Sequence, residues 1–259
     1  MKIEIRYFSG TGNTAITAAA LGKALKELGE ISISSIEENI PVGSDTDLLI
    51  LGGPIYAGNI PEKLIRWLLR NVESNKCSGK AIVFTTSAGL KNAFGNKSMS
   101  LKLIKKGYSI YGTAAFEMPR NYYFGSYEKP ASDIIKEELK SISEKSADFI
   151  RSIDWDSPIK PDSKGILQLD LFAELFSVMA RFMGKSYRVD ESCIRCGKCV
   201  KNCPTRNIRM NENGVKFNLS CMHCTRCLHG CPVNAISYKG IKYEQYKPDE
   251  ILLKIQENN

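Results

Sequence analysis

Residues 193–204, CIRCGKCVKNCP, and residues 221–232, CMHCTRCLHGCP, decide how the rest of the chain is read. Cysteines stand at 193, 196, 199 and 203, and again at 221, 224, 227 and 231. Each set has the spacing C-x2-C-x2-C-x3-C-P, and the second is the first displaced by 28 residues. The match runs past the cysteines: Val189–Cys193 aligns with Phe217–Cys221, and Ile208 with Ile236. One small structural unit has been written twice.

The spacing has a chemical reading. An iron–sulfur cubane needs a thiolate on each iron. A tight loop with cysteines three apart turns three of them into one bowl, and the fourth must come from elsewhere. Disulfides would need an oxidising compartment, which nothing here indicates. Zinc sites pair short C-x2-C knuckles rather than a run of three cysteines followed by C-P. The pattern resembles the bacterial-type two-[4Fe–4S] ferredoxin module, in which the fourth ligand crosses over from the other repeat. That resemblance assigns Cys193, Cys196, Cys199 and Cys231 to one cluster, and Cys221, Cys224, Cys227 and Cys203 to the second. Pro204 and Pro232 turn the chain away after each crossing ligand. His223 and His229 fall between ligands whose places are filled, and they read as surface or supporting residues.

Composition sets the frame. The chain has 259 residues, enough for one large domain and a small one, and its hydrophobic content of 43% supports a real core. Eight of the nine cysteines lie in the repeat; Cys77 reads as an inert thiol. The formal charge is +8. Two loaded clusters would remove about four charges and a bound phosphate group about two, leaving the protein roughly neutral or slightly positive. Arg195, Lys198, Lys201 and Arg226, interleaved with the ligands, suit compensation of cluster charge or an acidic partner. No nucleic-acid motif accompanies them. The opening MKIEIRYFSG has no leader pattern, and no apolar run reaches membrane-spanning length. A cytoplasmic protein in an anaerobic setting is expected.

The first half alternates strand and helix patterns. Ile3, Ile5 and Tyr7 predict a strand, and Ala18, Leu21, Leu25 and Leu28 a helix. Between them lies Ser9-Gly10-Thr11-Gly12-Asn13-Thr14. A strand, a small polar loop and a helix N-terminus make an anion site: glycines let the backbone close in, and hydroxyls donate to phosphate oxygens. Ala15 stands where a dinucleotide fingerprint has its third glycine, and no lysine makes a Walker loop. Further strands are expected over 31–36, 47–53, 80–86 and 109–118, with helices after Pro61, around 94–106 and over 132–152. The apolar run DLLILGG, 47–53, suits a parallel strand covered on both faces.

The S-x-T-G-x-T loop resembles the FMN phosphate loop of flavodoxins. By that resemblance the strands form a doubly wound α/β fold, a flavodoxin-like parallel five-stranded sheet in the order 2-1-3-4-5, with ligand at the strand carboxyl ends. Loop 9–14 then holds the phosphate. Pro54, Ile55, Tyr56, Ala57 and Gly58, and Ser87, Ala88 and Gly89 in loop 87–92, flank the flavin ring. Tyr56 is the first candidate for ring contact. Tyr122, with Tyr123 and Phe124, either covers the ring's other side or packs as a loop.

The whole chain resembles the fused flavodoxin–ferredoxin electron-transfer proteins of anaerobic bacteria and archaea. The expected organisation is an FMN-binding domain over 1–152, a linker and apolar helix over 153–186, a small α+β two-[4Fe–4S] ferredoxin domain over 187–240, and a tail over 241–259 that docks back. The apolar run 165–185 reads as a bracket buried between the domains, with homodimer formation and membrane-surface contact as the sharper readings. The resemblance implies FMN and two [4Fe–4S] clusters relaying electrons for a redox partner protein. Two alternatives stay open: an FMN-dependent reductase of a small molecule fed by its own clusters, and a ferredoxin whose first domain binds no flavin.

Overall fold

The computed structural model describes residues 1–74, 79–89, 94–125, 127–161 and 166–257. Cys77 and the end of loop 87–92 lie outside them. The chain divides into two compact units, Met1–Ala173 and Glu174–Asn259.

The first unit is an α/β sandwich. Strands β1 (Lys2–Tyr7), β2 (Glu30–Ser35), β3 (Leu48–Pro54), β4 (Lys80–Ser87) and β5 (Ser109–Glu117) form one parallel sheet in the order β2-β1-β3-β4-β5. This is the flavodoxin-like order expected from the sequence. The helices are α1 (Asn13–Ala24), α2 (Glu62–Asn71), α3 (Phe94–Lys105) and α4 (Ser132–Arg151). Leu48–Leu51 of β3 and Ala81–Phe84 of β4 are wholly buried, as central parallel strands must be.

Alternation along β3 and β4 assigns the helices to faces. The Phe84 ring lies over Gly52, where a Cβ would meet it at 2.0 Å. Phe84 packs edge-on against Phe116, and Phe116 against Phe149 of α4. That face carries α4 with α1 beside it. The next residues, Gly53 and Thr85, point the other way. Gly53 meets Leu64 of α2, and Thr85 lies against Gly95 of α3.

In β1 the polar residues are also inside. Arg6 pairs with Glu4, both side chains about 95% buried, and Arg6 also donates to Ser34. Glu4 accepts from the Gly43 N–H at 3.0 Å and the Thr46 hydroxyl at 2.7 Å. Residues 153–161 run along the sheet rather than hanging as a tether: Ile159 donates to the Ile110 carbonyl at 2.7 Å, and Trp155 stacks on Tyr111.

Helix α5 (Ile166–Met183) follows. Its start is fastened within the first unit by Asp170, which accepts from Asn59 at 2.7 Å and Ser98 at 2.9 Å and pairs with Lys102 at 3.1 Å. The expected burial of its apolar face is not found. Leu171, Phe172, Leu175, Val178, Met179 and Phe182 are exposed.

The second unit repeats itself. Strand β6 (Tyr187–Val189) pairs antiparallel with β9 (Ile236–Tyr238), and β7 (Ile208–Asn211) with β8 (Gly214–Phe217). One-turn helices α6 (Lys198–Lys201) and α7 (Arg226–His229) carry the third cysteine of each set, Cys199 and Cys227. The 28-residue displacement survives in the backbone. Left-handed conformations recur at Arg195 and His223, at Gly197 and Thr225, and at Arg206 and Asn234. Helix α8 (Pro248–Glu257) ends the described chain. The stretch before it docks on the repeat: Gln245 donates to the carbonyls of Leu228 and Cys231, and the Tyr246 N–H donates to His229 Nδ1 at 3.0 Å.

Candidate cofactor sites

The hydroxyl-rich loop follows β1 and opens α1. Ser9 Oγ accepts from the N–H groups of Gly12 at 3.2 Å and Ala15 at 3.3 Å, which curls the loop into a cup. Gly12 is the N-cap of α1 with φ 111°, a conformation that favours glycine, and it brings no side chain to obstruct the helix end. The first turn of α1 has no acidic residue. A helix N-terminus so built attracts an anion.

The other candidate loops lie at the same edge of the sheet. Thr14 and Thr86 share a hydroxyl hydrogen bond of 2.7 Å, joining the cup to the end of β4. Asn13 donates to the Pro119 carbonyl at 2.9 Å, and Asn121 donates to Thr11. Ile55 donates to the Thr86 carbonyl, and Met118 to that of Ser87. The loop after β3 is a tight turn closed by Tyr56 and Asn59, with Ala57 at φ 48° and Gly58 at φ 86°. Gly10–Thr14, Pro54–Gly58 and Ser87–Gly89 are thus drawn together beyond the carboxyl ends of β1, β3 and β4. Tyr56 and Tyr122 are partly exposed there. Tyr123 and Phe124 are buried, which favours the packed-loop reading for those two. Asn121, which sequence reasoning did not single out, is a further contact of the cup; its only signal was its place after the fifth strand.

In the second unit, two cavities are lined by cysteines. Cys193, Cys196, Cys199 and Cys231 surround the first, with Ile194, Met210, Val215 and Val233 among its other walls. Cys203, Cys221, Cys224 and Cys227 surround the second, with Tyr187, Ile208 and Phe217. Each cavity takes three cysteines from one repeat and one from the other. The thiols ring a space rather than meeting at a point. Among the described residues no group of three His, Cys, Asp or Glu side chains is set to hold a single ion.

Backbone N–H groups are aimed at sulfur in matching places. Asn207 donates to Cys203 Sγ at 3.2 Å, and Ala235, its counterpart, to Cys231 Sγ at 3.3 Å. His223 donates to Cys221 Sγ at 3.3 Å. Such bonds favour thiolate charge. The first cavity has exposed Cys196 beside buried Cys231, whereas the four cysteines of the second are all partly covered. Burial pushes the Cys221 thiol up to about 11 and the Cys224 thiol up to about 12, and raises Cys227 and Cys199 as well. Loading must therefore expel protons.

Neither histidine is on the surface. His223 sits among Tyr187 and Tyr238, and its burial lowers its pKa to about 4, so it is neutral at pH 7. His229 is buried as the acceptor for Tyr246. Gly184 escaped sequence reasoning altogether: a Cβ there would stand 2.3 Å from the Cβ of Cys221.

The parallel sheet with its hydroxyl cup and the two cysteine-lined cavities give the chain two different kinds of candidate site. Residues 192–235 match the 4Fe-4S dicluster domain family. A flavodoxin of Clostridium saccharobutylicum is 25% identical over 128 residues, covering 47% of this chain and 80% of its own length. Among solved structures, an archaeal flavodoxin matches 58% of this chain and 97% of its own, with TM-score 0.42 and 14% identity. The two-electron reduced flavodoxin of Megasphaera elsdenii matches 56% and 98%, with TM-score 0.39 and 21% identity. The chain is a flavodoxin-like domain fused to a ferredoxin-type 4Fe–4S domain. Among the described residues no helix is long and apolar enough to cross a membrane.

Proposed function

We propose that the protein relays electrons between two [4Fe–4S] clusters and FMN for a redox partner protein. The observation that carries this reading is the pair of four-cysteine cavities, each completed by the other repeat. Cys193, Cys196, Cys199 and Cys231 hold one cluster; Cys221, Cys224, Cys227 and Cys203 hold the second. The N–H groups of Asn207, Ala235 and His223 stabilise charge on sulfur, and Arg226, beside Cys227, adds a positive charge. Ser9–Thr14 bind the FMN phosphate, and Pro54–Gly58, Ser87–Gly89 and Tyr122 border the ring. When bound, cubanes exchange single electrons and FMN exchanges one or two, which suits a converter between the two kinds of traffic.

Anaerobic redox titration of the purified protein, followed by visible absorption and electron paramagnetic resonance, tests the reading. About eight iron atoms and one flavin per chain are expected, with two cubane signals. Clusters without flavin would remove the FMN assignment, and about four iron atoms per chain would remove the two-cluster assignment.

A further inference from the structure

The exposed apolar residues of α5 are not scattered. Leu171, Leu175, Val178 and Phe182 are spaced four, three and four apart, the alternation that keeps a seam facing a partner helix. Phe172 and Met179 flank the seam on one side, and Glu174 and Arg181 on the other. These six apolar residues are 47–66% exposed. At usual side-chain sizes they present roughly 700 Å² per chain, above ordinary surface patches and close to the ~800 Å² per partner of a standard interface.

We propose that α5 docks against α5 of a second copy of this chain, antiparallel, about a twofold axis between Leu175 and Val178. Antiparallel pairing puts Leu171 against the partner's Phe182, and Leu175 against the partner's Val178. Because the pairing is isologous, each contact occurs twice. Phe172 then meets the partner's Met179, a sulfur–aromatic contact. Glu174 meets the partner's Arg181, so the flanks are charge-complementary in this direction. In a parallel pair Glu174 would face the partner's Met179 and no such ion pair would form. A membrane surface fits less well. Interfacial helices carry a basic polar face, whereas Ile166–Met183 has Asp170 and Glu174 against Arg181.

The test is the solution mass of the intact protein, purified anaerobically, by sedimentation equilibrium across micromolar concentrations. A dimer is expected. Glu174→Arg or Arg181→Glu alone places like charges together twice and should weaken it about tenfold or more. The double variant E174R/R181E restores opposite pairs and should recover the dimer. Leu175→Asp should give a monomer with unchanged circular dichroism and cofactor content. A monomeric wild type would overturn the proposal. So would a dimer indifferent to the Leu175 and charge variants, a dimer that the double variant fails to restore, or a monomer that sediments with phosphatidylglycerol vesicles.

Discussion

A methyl group at position 184 would have no room beside Cys221, because the two Cβ atoms would stand 2.3 Å apart. Gly184→Ala should push Cys221 off the second cavity and cost about 1–3 kcal/mol of stability. Iron content should fall toward half while flavin content holds, as measured by iron and flavin assays on the same preparation. Nothing near residue 184 announces this, since the contact comes from folding and not from the repeat. Glu4 and Arg6 are a second case. The alternation of Ile3, Ile5 and Tyr7 predicts the strand, but it does not say that the residues between them are buried as a pair. Arg6→Met leaves Glu4 buried without its cation and should cost about 3–5 kcal/mol in chemical denaturation. The cysteines, by contrast, were legible one by one, because ligation chemistry fixes both residue type and spacing.

Among the elements, the strands were readable from apolar runs punctuated by glycine, their order from the flavodoxin resemblance, and the cup at Ser9–Thr14 from its hydroxyls. Ser9→Ala removes the acceptor that curls the cup around the Gly12 and Ala15 N–H groups. FMN should bind about three- to tenfold more weakly, followed by quenching of flavin fluorescence. The exposure of α5 is not legible in the sequence, because an apolar helix reads the same whether or not a neighbour covers it. Its fastening at Asp170 follows from polar partners far apart in sequence. Burial works to raise the Asp170 pKa, but Lys102, Ser98 and Asn59 outweigh it and hold the carboxyl below its ordinary 3.8. A carboxyl held low stabilises the fold above that ordinary value, and the contribution fades as pH falls through the lowered one. Thermal melts should therefore show Asp170→Asn lowering Tm at pH 7, with the difference from wild type shrinking below about pH 4.

For the molecule as a whole, the duplication was the most legible feature and its crossed bracing the most consequential. Cys231 belongs to the second repeat by sequence and to the first cavity by position. Cys231→Ser should abolish the cluster beside exposed Cys196 and spare the sheltered one. The surviving paramagnetic signal should then resist a soluble oxidant such as ferricyanide better than the wild-type average. A survivor that is readily oxidised would favour uncrossed ligation.

Crossed bracing also imposes an order in time. A ribosome delivers Cys199 and Cys203 well before Cys231, and at about 5–20 residues per second the wait lasts roughly two to six seconds. During that interval the first triple-cysteine loop lacks the fourth cysteine of its cavity. Completion of either cavity is thus a late event in the life of the nascent chain, after the flavodoxin-like domain has been made. A chain that stops before Cys227 contains neither finished cavity.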